Sequence, residues 1–205
     1  MHGLWQGKAP LILASKSASR QALLAAAGIP FESIASAIDE RAVETPLRDK
    51  GASAAEIVAN LAQAKARAVA AHRPGRLVLG ADQTLVFDGR TFAKPATLAE
   101  ARAQLIGFSG RTHELHSALC VLRGDKILFE TVVPARLTCR AFGADFIDRY
   151  IKAAGEAVLA SVGGYQIEGL GIHLFEAIEG DHATILGLPL LPLLAFLRRE
   201  GCLLG

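Results

Sequence analysis

The sequence predicts an α/β fold built on a mixed sheet, and three observations carry that prediction. Short apolar runs of strand length alternate with stretches of helical period along the whole chain. Two β-rich runs in the middle are joined by Gly124-Asp125, a hairpin signal, and a hairpin makes its strands antiparallel, which favours a mixed sheet over an all-parallel one. Of the 205 residues, 51% are hydrophobic and 20% charged, enough to fill the core of one large domain or of two tightly joined lobes.

The elements follow in order. Leu11–Ala14 (LILA) reads as a short buried strand. A hydroxyl-rich loop, Ser15-Lys16-Ser17-Ala18-Ser19-Arg20, leads into a helix over Gln21–Ala27 that ends at Gly28. Pro30–Ala35 suggests a second strand. Ser53–Ala71 is Ala-rich with Ile57, Leu61 and Ala64 on one helical face. Leu77–Phe87 is a strand closed by a turn at Asp88-Gly89, and Leu98–Ile106 is a helix with Thr97 as its N-cap. Thr112–Leu122 and Ile127–Arg140 form the hairpin, and Asp145–Ala153 is helical. Gly163–Gly171 is a glycine-rich loop at the surface or at a ligand, Ile172–Ile178 a last strand, and Pro189–Arg199 a closing helix with Pro at its start.

Composition narrows the function classes. The net charge of +2 is spread along the chain, and no basic–aromatic interleaving runs through its nine Phe, two Tyr and one Trp. Both features disfavour a nucleic-acid or membrane-surface binder. Cys120, Cys139 and Cys202 form no CxxC pair, so buried thiols in a reducing compartment are expected rather than a zinc or redox site. The start of the chain lacks a signal-peptide pattern, and Ile185–Leu197 is too short and Pro-interrupted to cross a bilayer. The expectation is a soluble, cytoplasmic protein.

Three constellations could carry chemistry. Ser15, Ser17, Ser19 and Arg20 sit where a strand feeds a helix start, and free backbone N–H groups, hydroxyls and a guanidinium suit a phosphate there. The same residues also suit plain N-capping beside a solvated Arg. Asp39-Glu40 can supply a ligand to a hard divalent cation, or be a solvated turn. Asp82 lies inside the apolar run Leu77–Phe87, where a charge is costly unless something pairs with it. With Lys94 it can serve metal binding or proton abstraction from water, or form a structural pair. His113 and His116 are three apart on a strand and point to opposite faces, so they do not share a metal. No GxxxxGK[ST], GxGxxG or GxSxG motif is present.

Taken together, seven motifs in order resemble the Maf family of nucleoside triphosphate pyrophosphatases. They are Ser15-Lys16-Ser17-Ala18-Ser19-Arg20, Asp39-Glu40, Leu61-Ala62-Gln63-Ala64-Lys65-Ala66, Ala81-Asp82-Gln83 with Lys94-Pro95, Ser109-Gly110-Arg111-Thr112-His113, Gly164-Tyr165-Gln166-Ile167-Glu168-Gly169 and Gly187-Leu188-Pro189-Leu190. The resemblance covers nearly the whole chain. It implies one domain over 1–205 with two lobes around a deep cleft, as in the inosine triphosphate pyrophosphatase-like fold. It implies hydrolysis of a nucleoside triphosphate between the α and β phosphates, giving a monophosphate and pyrophosphate, with a divalent metal, Mg²⁺ or Mn²⁺. By position, Asp82 matches the family's proton acceptor and Ser15, Ser17, Arg20, Lys65 and Lys94 its phosphate-side residues. Glu40 matches a metal ligand, and Asp82 is a second candidate for that role. A homodimer is a family-level expectation. An alternative that the family also suggests is a nucleotide-binding regulator of cell division without turnover.

Three positions vary with base preference in the family: here Ser19, Gln83 and Glu168. Gln83 and Glu168 resemble the members that act on 7-methyl-GTP, whereas Ser19 stands where those members have Trp. A carboxylate at Glu168 can accept two hydrogen bonds from the N1–H and N2–H₂ edge of guanine, which uracil and thymine cannot supply. The expectation is a guanine-leaning, 7-methyl-GTP-like or broad triphosphate preference and a role in removing modified nucleotides. If Asp82 does chemistry while Gln83 touches the base, strict strand alternation requires a bulge or strand end between them, with Gly80 a candidate for permitting it.

Overall fold

The computed structural model describes residues 3–205. Its strands are β1 (Leu11–Leu13), β2 (Phe31–Ser33), β3 (Leu77–Phe87), β4 (Arg90–Phe92), β5 (Thr112–Arg123), β6 (Lys126–Cys139) and β7 (Phe175–Glu179). They form one sheet in the order β2-β1-β3-β5-β6-β7, with β4 on β3. The sheet is mixed: β1 is parallel to β2 and β3, while the β3–β4 and β6–β7 pairs are antiparallel. The helices are α1 (Ala18–Ala26), α2 (Glu40–Asp49), α3 (Ala54–Ala70), α4 (Leu98–Phe108), α5 (Ala144–Ala154), α6 (His182–Ile185) and α7 (Leu190–Arg199). No described helix is long and apolar enough to cross a membrane.

The chain divides into two compact units, the first made of residues up to Gln83 with Ser117–Val133 and His182–Gly205, the second of Thr84–His116 and Pro134–Asp181. In the first unit the strands are covered on both faces. Ile12, Ala14, Val78, Ala118, Cys120 and Leu122 pack with Val58, Ala62, Ala66, Val69 and Ala70 of α3. Leu11, Leu13, Leu79, Ala81, Leu119 and Val121 pack with Leu24 of α1 and Leu193, Phe196 and Leu197 of α7. A strand covered on both sides has no polar face to show, so β1 and the first half of β3 read as continuous apolar runs. Helix α3 begins with a capping box, the Ser53 hydroxyl accepting from Glu56 N while Glu56 Oε2 accepts from Ser53 N at 2.7 Å.

In the second unit α4 is capped by Thr97, as its sequence predicts. It carries Phe108 into an aromatic cluster with Phe87 and Phe92, ring centroids 5.0 and 5.5 Å away. Arg102 of α4 holds Asp148 of α5 through Nε at 2.6 Å and Nη2 at 3.1 Å. The turn at Asp88-Gly89 is a two-residue hairpin loop with φ of 50° and 71°, the positive pair that a tight hairpin needs. It returns the chain as β4, a strand too short for the sequence pattern to reveal.

Most expected elements shift by a residue or two at their ends, and three larger departures have a local cause. Helix α2 starts within the Asp39-Glu40 pair, which is no mere turn: Glu40 is its first residue and Asp39 its N-cap, Oδ1 accepting from Arg41 N and Ala42 N at 3.0 and 3.3 Å. A polar segment with Pro46 inside it gives little helical signal. Helix α1 begins at Ala18, three residues before the predicted start, because Ser17 caps it. The last strand begins at Phe175 rather than Ile172, because Leu170–Leu174 is a 3₁₀ turn.

Candidate active site

Asp82 lies on β3 in the first unit and is 8% exposed. Its place is set by Gly80, two residues earlier on the same face. A Cβ on Gly80 would collide with the backbone of α3 at the Ala62 carbonyl and lie 2.7 Å from Ala66 N, so glycine lets the helix sit directly on the strand. That close approach carries Lys65 of α3 to Asp82, Nζ to Oδ1 2.5 Å. The same ammonium lies 2.8 Å from Glu40 Oε1 at the start of α2. Lys65 is itself only 9% exposed, so one buried cation is shared by two carboxylates.

Arg20 completes the charge cluster. The Ser17 Oγ that caps α1 lies 3.5 Å from Arg20 N. The guanidinium is then aimed by two backbone carbonyls, Nε donating to Gly187 O and Nη1 to Ala81 O, both at 2.8 Å, with Ser15 Oγ 3.4 Å from Nη1. Gly187 has φ of 90°, and a Cβ there would lie 3.3 Å from Arg20 Nη2. Glycine at this position therefore serves both the turn and the guanidinium. Ser15 is 8% exposed, its Oγ accepting from Ser17 N at 3.2 Å while its carbonyl accepts from Ser33 Oγ at 2.7 Å.

Burial pushes the Asp82 carboxyl above the ordinary aspartate value, against the pull of Lys65 and Arg20, and nearby Glu40 pushes it further the same way. A carboxylate made more basic in this way, beside two cations, is suited to accept a proton from water while those cations face phosphate charge.

Gln83 projects to the other face of β3. Its Nε2 donates to Ser117 Oγ (2.9 Å), Thr184 O (3.1 Å) and Ile185 O (2.9 Å), and Ser117 Oγ donates in turn to Thr184 O at 2.7 Å. With carbonyl oxygens on that side, the amide nitrogen must point to them, which leaves Oε1 as the group's acceptor. The bulge or strand end expected between Asp82 and Gln83 is not what β3 shows: the strand runs on through both residues, and ordinary alternation takes Asp82 to Lys65 of α3 and Gln83 to Thr184 and Ile185 of α6.

The structure thus brings together Ser15, Ser17, Arg20, Glu40, Lys65 and Asp82 in the first unit. Ser19 is half-buried on α1. Lys94 and Glu168 belong to the second unit, Lys94 exposed in the loop between β4 and α4 and Glu168 exposed between two 3₁₀ turns. Ser117, Thr184, Ile185 and Gly187 were not singled out individually as site residues from the sequence. Gly187 stands within the motif Gly187-Leu188-Pro189-Leu190, and the hint for Ser117 is a serine inside the apolar stretch of β5.

Among the described residues no three His, Cys, Asp or Glu side chains converge as a metal cage. Glu40 and Asp82 form a two-carboxylate set. That donor number fits Mg²⁺ or Mn²⁺ carried in with substrate phosphates, since Mg²⁺ typically takes one or two carboxylates and completes its shell with phosphate oxygens and water.

Comparison with known proteins gives the family. The family model for Maf-like proteins matches residues 10–200. A nucleoside triphosphate pyrophosphatase of Nitrobacter winogradskyi is 57% identical over 98% of both chains. A protein of the same name from Bradyrhizobium diazoefficiens is 56% identical over 97% of both. A 7-methyl-GTP pyrophosphatase of Brucella suis biovar 1 is 51% identical over 95% of this chain and 98% of its own. The chain belongs to the Maf family.

Proposed function

We propose that this protein is a nucleoside triphosphate pyrophosphatase, a hydrolase that cuts between the α and β phosphates. The observation that carries the reading is the buried Asp82, held beside Lys65 and Arg20 in a chain that is alike end to end to pyrophosphatases. Asp82 takes a proton from water as the water oxygen bonds to the α phosphorus. The bond from that phosphorus to the α–β bridging oxygen breaks, and its electron pair leaves on pyrophosphate. Arg20 and Lys65 face the charge that moves onto the leaving group, and Lys94 supplies a further cation from its exposed loop. Ser15 and Ser17 offer hydroxyl and backbone donors to phosphate oxygens. Glu40, with Asp82 as the second candidate, would hold the divalent cation, which when bound offsets triphosphate charge.

For the base we propose a guanine-leaning preference that extends to 7-methyl-GTP. Glu168 offers a carboxylate for two guanine donors, and Gln83 offers a fixed Oε1 acceptor. Ser19 supplies no ring to stack on a cationic base, so the preference between GTP and 7-methyl-GTP is narrower than a Trp there would make it. The deciding experiment measures pyrophosphate release with Mg²⁺ or Mn²⁺ from 7-methyl-GTP, GTP, UTP, dTTP and CTP. Guanine substrates are expected to lead. UTP and dTTP well ahead would overturn the base assignment, and nucleotide binding without pyrophosphate release would overturn the activity.

A further inference from the structure

His113 is a buried titratable group that the reaction above does not use. It stands on β5 with 1% exposure, among the rings of Phe108, Tyr165 and Phe175 at centroid distances of 4.9, 5.6 and 5.9 Å. Its Nε2 lies 2.7 Å from the Tyr165 hydroxyl, and its Nδ1 is buried with no hydrogen-bond partner among the described residues. Burial lowers the imidazole to about 4 and raises the phenol well above its ordinary value, so both are neutral at working pH and share one hydrogen. The Tyr165 phenol is therefore the ring's one polar connection. An imidazole among phenyl rings costs desolvation that a leucine would not, and in such surroundings the hydrogen bond it makes is hard to replace.

Tyr165 begins the segment that carries Glu168. That segment folds back on itself, Gly169 N and Gly171 N both donating to Gln166 O at 3.1 Å. Gly171 passes so close that a Cβ would lie 2.8 Å from the Gln166 carbonyl carbon. Residues 166–171 are thus one tight turn whose direction follows from where Tyr165 is held. Upstream, Gly163 and Gly164 have φ of 81° and 75°, a pair with no side chains to hold it in place. Among the described residues the side-chain hydrogen bonds to this stretch are Tyr150 Oη to Gly164 O at 3.2 Å and His113 to Tyr165.

We propose that His113 is a positioning residue for base selection: through Tyr165 it fixes the turn that presents Glu168. The proposal rests on the assignment of Glu168 to the base. The test compares kcat/KM for GTP and UTP in the parent, Glu168→Gln, Tyr165→Phe, His113→Gln and His113→Leu. It adds hydrogen exchange at the amides of residues 166–171. Glu168→Gln should lower the GTP/UTP ratio by about fivefold, the weight of one hydrogen bond. Tyr165→Phe and His113→Leu should lower it by a similar factor and speed exchange across 166–171. His113→Gln, which keeps a polar atom near the Nε2 position, should recover most of both.

A ratio lowered by Glu168→Gln but untouched by Tyr165→Phe and His113→Leu would overturn the proposal and leave the Glu168 assignment standing. A ratio unmoved by Glu168→Gln would remove that assignment and the proposal with it; faster exchange would then mark the tether as structural alone. Should Tyr165→Phe not fold, the His113→Leu and His113→Gln pair decides by itself, and equal ratios in the two would overturn the proposal.

Discussion

Asp82 and Gln83 are consecutive residues of β3 that serve opposite faces of the sheet. Asp82 meets Lys65 of α3 at 2.5 Å, while the Gln83 amide is held by Ser117, Thr184 and Ile185. The strand thereby places a carboxyl group on one side and a neutral amide on the other. Each can be altered without direct contact with the other, which makes their roles separable by mutation.

Asp82→Asn is expected to fold and to lose at least about a hundredfold in turnover, the lower end of what a positioned base supplies. Its stability follows from linkage. The folded carboxyl sits above its ordinary value, so its favourable contribution is present at low pH and lost as pH rises through the folded value. Asn is never ionised and escapes that loss, so the melting temperature at pH 7 should equal or exceed the parent's. Parent-like pyrophosphate release by Asp82→Asn would take Asp82 out of the mechanism.

The carboxyl of Asp82, followed by carbon-13 NMR in the metal-free protein, should titrate above 3.8. Lys65→Met removes an opposing cation and should move the midpoint further up, whereas Glu40→Gln removes a like charge and should move it down. A midpoint below 3.8 in the parent would show that the ion pair outweighs burial.

Lys65 also stands between the two candidate metal carboxylates. Mn²⁺ binding measured by electron paramagnetic resonance without nucleotide should weaken in Glu40→Gln. In Lys65→Met it should tighten, because the ammonium competes with the metal for the same oxygens. Binding that ignores both changes would place the metal elsewhere.

Gly80→Ala should destabilise the protein by about 1–3 kcal/mol, the usual cost of forcing atoms into a packed interface. The new methyl meets helix backbone rather than a side chain that could rotate away. Displacing α3 also withdraws Lys65 from Asp82, so activity should fall more than stability alone explains. Urea unfolding together with pyrophosphate release at a temperature where the variant is folded checks both.

Ser117→Ala removes one acceptor of the Gln83 amide and the donor to Thr184 O. It should cost about 1–3 kcal/mol, as removing a buried hydrogen-bond partner does. It should raise KM for the favoured nucleotide more than it lowers kcat, since Gln83 is expected to touch the base and not the phosphates. A change confined to kcat would argue that Gln83 acts on the reacting phosphate.

Much of this was readable because local chemistry decided it. The Ala-rich run and the period of Ile57, Leu61 and Ala64 define α3, and Thr97 defines the start of α4. The strands covered on both faces appear as apolar runs, and Asp82 stands out as a charge inside one of them. Helix α2 was not readable, since its signal is a single Asp39 cap followed by polar residues and Pro46. Nor was the start of β7, where backbone bonds to Gln166 turn Leu170–Leu174 back before the strand begins.

By itself the sequence determined the residue types, the order of the motifs and the alternation that separates Asp82 from Gln83. Those depend on neighbours along the chain. The tertiary structure alone decided that Lys65 bridges Glu40 and Asp82, that Gly187 and Ala81 aim Arg20, and that His113 meets Tyr165. These partners are 17 to 167 residues apart, and no local preference encodes them. They meet only because burying the apolar faces of strands and helices brings distant backbones together, and a glycine such as Gly80 lets them come close enough.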